Sequence, residues 1–102
     1  MEQLFNALKS EKLDERHAAV SLMAERAREN PEAAKQIVSA LKEADMSGRW
    51  YLGRALVKTG PSVIPLLTAE AEIEKDAGIL KYYGAVLASF AVRIYKTETK
   101  FS

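Results

Sequence analysis

His17 is the only histidine of the chain, and Asp14 stands one helical turn before it. A carboxylate at that spacing can orient an imidazole and favour its charged form, which is the raw material of acid-base catalysis. No nucleophile is set beside the pair by sequence, however, and an Asp at the start of a helix has a simpler role as its cap, so the pair reads as structural. There is no cysteine and no second histidine, which removes disulfides, thiolate metal sites and cysteine nucleophiles, and no metal site is expected. Glu70, Glu72, Glu74 and Asp76 hold enough oxygen for a cation, but a solvated acidic helix end accounts for them more simply. Gly48, Gly53, Gly60, Gly78 and Gly84 never come at the close spacing that cradles a phosphate. No catalytic residue and no cofactor are expected.

Binding chemistry is better represented. Trp50, Arg54 and Lys58 recur every four residues and share one helix face, with Arg49 beside them. An indole flanked by cations suits a protein partner, an acidic peptide or a phosphate, because Trp and Arg dominate binding hot spots. The alternative packs Trp50 half-inside against a neighbouring helix while the cations solvate that face. Large aromatics serve a core first, which favours the alternative.

The elements that must position these residues are helices. No stretch alternates apolar and polar residues for long and no Asn-Gly or Asp-Gly turn occurs, so the chain reads as all-α. Asn30-Pro31 sets a capping residue before a proline at the first helical position, and Gly60-Pro61 closes one helix and opens the next. These marks divide the chain into roughly six helices, at 2–10, 14–29, 31–44, 47–59, 61–74 and 76–95. The second has a stripe of Ala19, Leu22, Met23, Arg26 and Ala27, and the third one of Ala34, Ile37, Val38, Leu41 and Ala44. Pro65 lies early enough in the fifth helix to be tolerated with a small kink.

Composition bounds the rest. The 102 residues make one domain, 48% hydrophobic, and 15 bases against 14 acids leave a charge of +1, too small a field to draw in nucleic acid or an anionic membrane. The start, Met1-Glu2-Gln3-Leu4-Phe5, lacks the basic and apolar runs of a secretory signal, so a cytoplasmic location is expected. The most apolar stretch, Tyr82 to Val92, covers eleven residues, too few to span a bilayer.

One spacing organises the helices. Asp14, Asp45 and Asp76 stand 31 residues apart, each after a charged run and each placed, like Asn30, to cap a helix. Tyr51-Leu52-Gly53 recurs at the same offset as Tyr82-Tyr83-Gly84, and Ala55-Leu56 as Val86-Leu87. A two-helix unit repeated at that period cannot bury its stripe alone, so neighbouring pairs stack into an α-solenoid.

The segment Arg49 to Leu67, Arg-Trp-Tyr-Leu-Gly-Arg-Ala-Leu-Val-Lys-Thr-Gly-Pro-Ser-Val-Ile-Pro-Leu-Leu, resembles the HEAT-like repeat in its short, phycobilisome lyase-like variety. Arg49, Ala55, Leu56, Gly60, Pro61, Ile64, Pro65 and Leu67 fit that pattern; the unit before it keeps Arg16 and Pro31 but has Asn30 in place of the terminal Gly. The resemblance implies a short right-handed solenoid of about two and a half helix pairs. Residues 1–13 would form an N-terminal capping helix, 14–44 and 45–75 two repeats, 76–96 a terminal half repeat and 97–102 a polar tail. Its motif specifies packing and turns and brings no catalytic residue. The His-Glu pairs of metal-binding HEAT-like hydroxylases are missing, which argues against that activity.

The last helix is apolar nearly all round: Ile79, Tyr83, Val86, Leu87, Phe90 and Ile94 form one stripe, and Gly84, Ala88, Ala91 and Tyr95 another. Either the first helix, with Leu4, Phe5 and Leu8, folds back over it, or a second copy of the chain does. The expected function is a non-enzymatic surface for a protein or peptide. Nucleic-acid or phosphate binding through Arg49, Arg54 and Lys58 is the alternative, and a role as accessory subunit of a larger enzyme a third.

Overall fold

A computed structural model describes residues 1–100, with side chains through residue 91. The chain is all-helical, in the order α1 (Glu2–Ala7), α2 (Leu13–Glu29), α3 (Pro31–Glu43), α4 (Met46–Thr59), a 3-10 turn (Pro61–Val63), α5 (Ile64–Ile73) and α6 (Ala77–Lys100).

Local chemistry sets most boundaries. The Asn30 side chain accepts a hydrogen bond from the Glu32 amide at 3.0 Å and Pro31 occupies the first helical position, where its missing N–H costs nothing. Asp45 accepts from the Gly48 amide at 2.7 Å, and Asp76 from those of Gly78 and Ile79 at 2.8 and 3.1 Å. α4 ends at Gly60, whose φ of 109° is open to glycine and strained for any residue with a Cβ.

Four expectations are corrected. Asp14 is no cap: α2 begins one residue before it, behind Lys12, and the Asp14 carboxylate accepts only from the Glu15 amide. The Ser10 hydroxyl fixes that start, accepting from the Lys12 amide and donating to the Glu15 carboxylate. The single helix expected over 61–74 is a 3-10 turn followed by α5, because Pro65 has no N–H to offer the Pro61 carbonyl and the Ile64 amide takes it instead. Pro65 thereby falls in the first turn of α5. In α2, Leu22 is 45% exposed and Arg26 is exposed, while Val20 and Ala24 are buried beside Ala19, Met23 and Ala27. Finally, α6 runs to Lys100 rather than ending at 95, since no Gly or Pro follows Gly84 to stop it.

α2 packs on α1, α3 and α4; α4 also packs on α3 and α6; and α6 packs on α4 and α5. The core fills the seams between them. Met23, Ile37, Leu41, Leu56, Leu67 and Tyr83 are fully enclosed, each aliphatic side chain among them contributing about 1.5–3 kcal/mol of apolar burial. Tyr83, Val86 and Phe90 of the expected terminal interface are buried inside the chain, and Leu87 is partly so. Their stripe lies against α4 and α5 rather than α1, which packs on α2. The side chain of Ile94 lies outside the described residues, as do those of Tyr95 and of the expected tail.

Polar contacts tie consecutive pairs together. Arg49 of α4 donates from Nε to the Leu41 carbonyl at 3.1 Å and from Nη2 to the Lys42 carbonyl at 3.2 Å, closing the C-terminal end of α3. Arg28 of α2 donates to the Lys58 carbonyl near the end of α4 at 2.6 Å. Both place a cation where the helix leaves its carbonyls and partial negative charge. On the other side, Lys42 of α3 pairs with Glu70 of α5 at 3.2 Å and with Glu74, which caps the end of α5, at 3.3 Å.

Candidate functional site

The helical period puts Trp50, Arg54, Val57 and Lys58 along one edge of α4, and Tyr82, Ala85, Val86 and Ser89 along the facing edge of α6. Where the two helices diverge toward solvent they leave an open groove of about 390 Å³. Gly53 is its close point, because a Cβ there would meet Val86 Cγ2 at 3.5 Å, an ordinary contact. The floor is apolar and the rim is basic.

Trp50 is 50% exposed and is not part of the core cluster. Its ring stands edge-on to Tyr51, centroids 4.9 Å apart at 88°, and the Arg54 guanidinium carbon lies 5.0 Å from the centroid of the indole. Such stacking orders two long side chains one turn apart without burying either. Lys58 reaches across to the Ser21 hydroxyl of α2 at 3.4 Å. Arg49 sits differently from its neighbours: with its donors on the α3 carbonyls, its guanidinium lies 5.4 Å from the centroid of Tyr82. The structure thus gathers all four expected binding residues at one groove, with Arg49 as a strut and Arg54 and Lys58 as the outward cations. Among the described residues the ion pairs within 4.0 Å are those of Lys42, so neither outward cation has a carboxylate partner.

Tyr82, Val57 and Ser89 were not singled out by sequence. Tyr82 hides in an apolar run, and the signal that finds it is its 31-residue offset from Tyr51; each ring has an arginine near it, Arg16 at 5.5 Å from the Tyr51 centroid and Arg49 at 5.4 Å from that of Tyr82, although the two arginines stand 33 residues apart.

The remaining candidates are placed elsewhere. His17 is exposed, with its ring edge-on to Tyr51 at 6.1 Å, and the Asp14 carboxylate is turned to its own backbone. Glu70 and Glu74, first read as a solvated helix end, share the ammonium of Lys42, while Asp76 is occupied as a cap. Hydrogen bonds to Glu70 and then Glu74 hold the Lys42 ammonium above its usual range. The Glu74 carboxyl is lowered, first by the amide of Asp76 and also by Lys42. Beneath this group Tyr83 is fully buried and its hydroxyl makes no hydrogen bond among the described residues; burial pushes the phenol above its usual range. Among the described residues no three His, Asp or Glu side chains gather as metal ligands, and no helix is long and apolar enough to cross a membrane.

A wider hollow of about 690 Å³ opens where α1 meets the starts of α2 and α4 and the end of α3. Its wall mixes Lys9 and Arg16 with Glu43 and Asp45, so it has no single charge preference. No family model matches the chain, and no curated protein or solved structure matches it either.

Proposed function

We propose that the chain is a non-enzymatic, HEAT-like helix-pair module that docks a protein or peptide in the groove between α4 and α6. Three features support the repeat reading: the packing of α2 on α4 and α4 on α6, tyrosines 31 residues apart, and an arginine against each of those two rings, the arginines standing 33 apart. On this reading the helix pairs stack as a short right-handed solenoid, and α1 caps its first pair.

The observation that carries the docking role is the half-open indole of Trp50 under Arg54, beside an apolar floor. A half-exposed indole leaves apolar area in water that a bound partner covers, at about 25 cal/mol for each Å² removed. The test is site-specific photo-crosslinking in the cells the protein comes from. A photoreactive phenylalanine at position 50 should capture a discrete protein that the same group at Lys35, exposed on α3, does not. Equal capture at both positions, or none, removes the proposal.

Nucleic-acid or phosphate binding draws on the same cations, and Arg54 and Lys58 without carboxylate partners are what favour it. Its mark is affinity for duplex DNA that falls steeply with salt and is lost in Arg54→Glu with Lys58→Glu. The role of accessory subunit to a larger enzyme is compatible with the docking reading, the captured protein then being the enzyme.

A further inference from the structure

We propose that the occupant of the α4/α6 groove is an acidic peptide segment carrying an aromatic or large aliphatic side chain. This rests on the docking reading above and adds the chemistry of the partner.

Charge decides it. Arg49, Arg54 and Lys58 line the groove, and among the described residues that line it there is no Asp or Glu. The whole chain has only one more base than acid, so with these three cations set aside the remainder is net acidic. The chain as a whole has almost no net field, so what the groove offers is a local set of three cations. A few carboxylates spaced over a short segment match three cations beside an apolar floor, whereas a nucleic acid, with a phosphate at every step, gains most from a longer basic track.

The floor decides the rest. Gly53, Val57 and Val86 offer no hydrogen-bonding side chain, and the half-exposed ring of Trp50 with the ring of Tyr82 gives two aromatic walls. An apolar side chain seated there removes this surface from water, while flanking carboxylates meet the N–H edges of Arg54 and the ammonium of Lys58. Trp50 supplies the anchor and Arg54, stacked on it, is ordered before the partner arrives.

The test selects displayed random peptides, about ten residues long, on the full chain, then measures the winners by fluorescence anisotropy at about 0.15 M salt. Enriched sequences should join Asp or Glu to Trp, Phe or Leu. Trp50→Ala and the pair Arg54→Glu, Lys58→Glu should each weaken binding about tenfold or more. Ala85 is exposed on the opposite wall, where a helical surface substitution should leave the fold within about 0.5 kcal/mol, so a charge placed there reports on the partner apart from folding. Ala85→Glu should weaken binding and Ala85→Lys should tighten it, each by roughly threefold. Winners that are neutral or basic, or a loss of affinity in both Ala85 variants, overturn the proposal. So does a groove that takes single-stranded or duplex oligonucleotides, or inorganic phosphate, and no peptide. Capture of a protein at position 50 together with non-acidic winners sinks the acidic segment and leaves the docking reading standing; neither capture nor enrichment sinks both.

Discussion

The Arg49 guanidinium lies 5.4 Å from the centroid of the Tyr82 ring while two of its donors close the carbonyls of Leu41 and Lys42. One side chain thus joins the end of α3, the start of α4 and the groove-facing edge of α6. The guanidinium is suited to this because its plane stacks while its edge donates; an ammonium is a single compact charge.

Arg49→Ala should therefore destabilise the fold by about 2 kcal/mol, or roughly 10 °C in melting temperature, by stripping partly buried carbonyls of their donors. Arg49→Lys should recover less than half of the loss. Arg54→Ala, on an exposed face of the same helix, should stay within about 0.5 kcal/mol of the parent. Thermal denaturation followed by circular dichroism measures all three. Full rescue by Lys would show that the fork and the stacking are not used.

The two aspartates in equivalent sequence positions should behave differently. Asp45→Ala leaves the Gly48 amide without its acceptor and should cost about 1 kcal/mol. Asp14 accepts only from the amide of the next residue, an exposed contact that water replaces, so Asp14→Ala should cost only a few tenths of a kcal/mol, from that bond and the helix dipole. Equal losses in urea titrations would put the start of α2 back at Asp14.

That contrast also marks how far the sequence reads through to the structure. Asn30-Pro31 and Gly60-Pro61 were legible because a cap, a fixed proline φ and a positive glycine φ are requirements of a few adjacent residues. The face of α3 was legible because its polar residues leave one stripe to bury. α2 has apolar residues at 19, 20, 22, 23 and 24, so period alone does not choose between Leu22 and Val20; contacts with α3 and α4 do. Asp14 failed as a cap because Ser10, four residues upstream, sets the helix start. Trp50, Arg54 and Lys58 were readable as a face, but the opposing wall of Tyr82, Ala85 and Ser89 exists only through the packing of α6 on α4. The size of Trp50 pointed inward, and only tertiary placement shows it half outside.

Tyr83 makes a prediction against the usual direction of core substitutions. Its ring fills the seam between α6 and its neighbours, yet the buried hydroxyl has no partner among the described residues, so it bears a desolvation cost without a compensating bond there. Tyr83→Phe keeps the ring and should be neutral or stabilising by about 0.5–1 kcal/mol, whereas Tyr83→Ala should cost about 3–5 kcal/mol through the cavity it leaves. A loss above about 1 kcal/mol in the Phe variant would reveal a hydrogen bond to that hydroxyl.

The Lys42, Glu70 and Glu74 group predicts the shape of the stability curve against pH. Glu74 titrates lower in the folded chain, so its contribution is complete above the unfolded carboxyl value and is lost as pH falls through the lowered one. Lys42 titrates higher, so its contribution is complete below the unfolded lysine value and is lost as pH rises through the raised one. Tyr83 adds to the alkaline loss, because a phenol kept neutral by burial ionises first in the unfolded chain. The two alkaline terms separate in a Tyr83→Phe background, where adding Lys42→Met should flatten what remains. On the acid side Glu74→Gln keeps an oxygen for the amides of Lys75 and Asp76 but cannot titrate, so the decline between roughly pH 5 and pH 3 should become shallower. Urea denaturation at stepped pH reads both limbs. An acid limb of unchanged slope in Glu74→Gln would assign it to other carboxylates and remove Glu74 from the account.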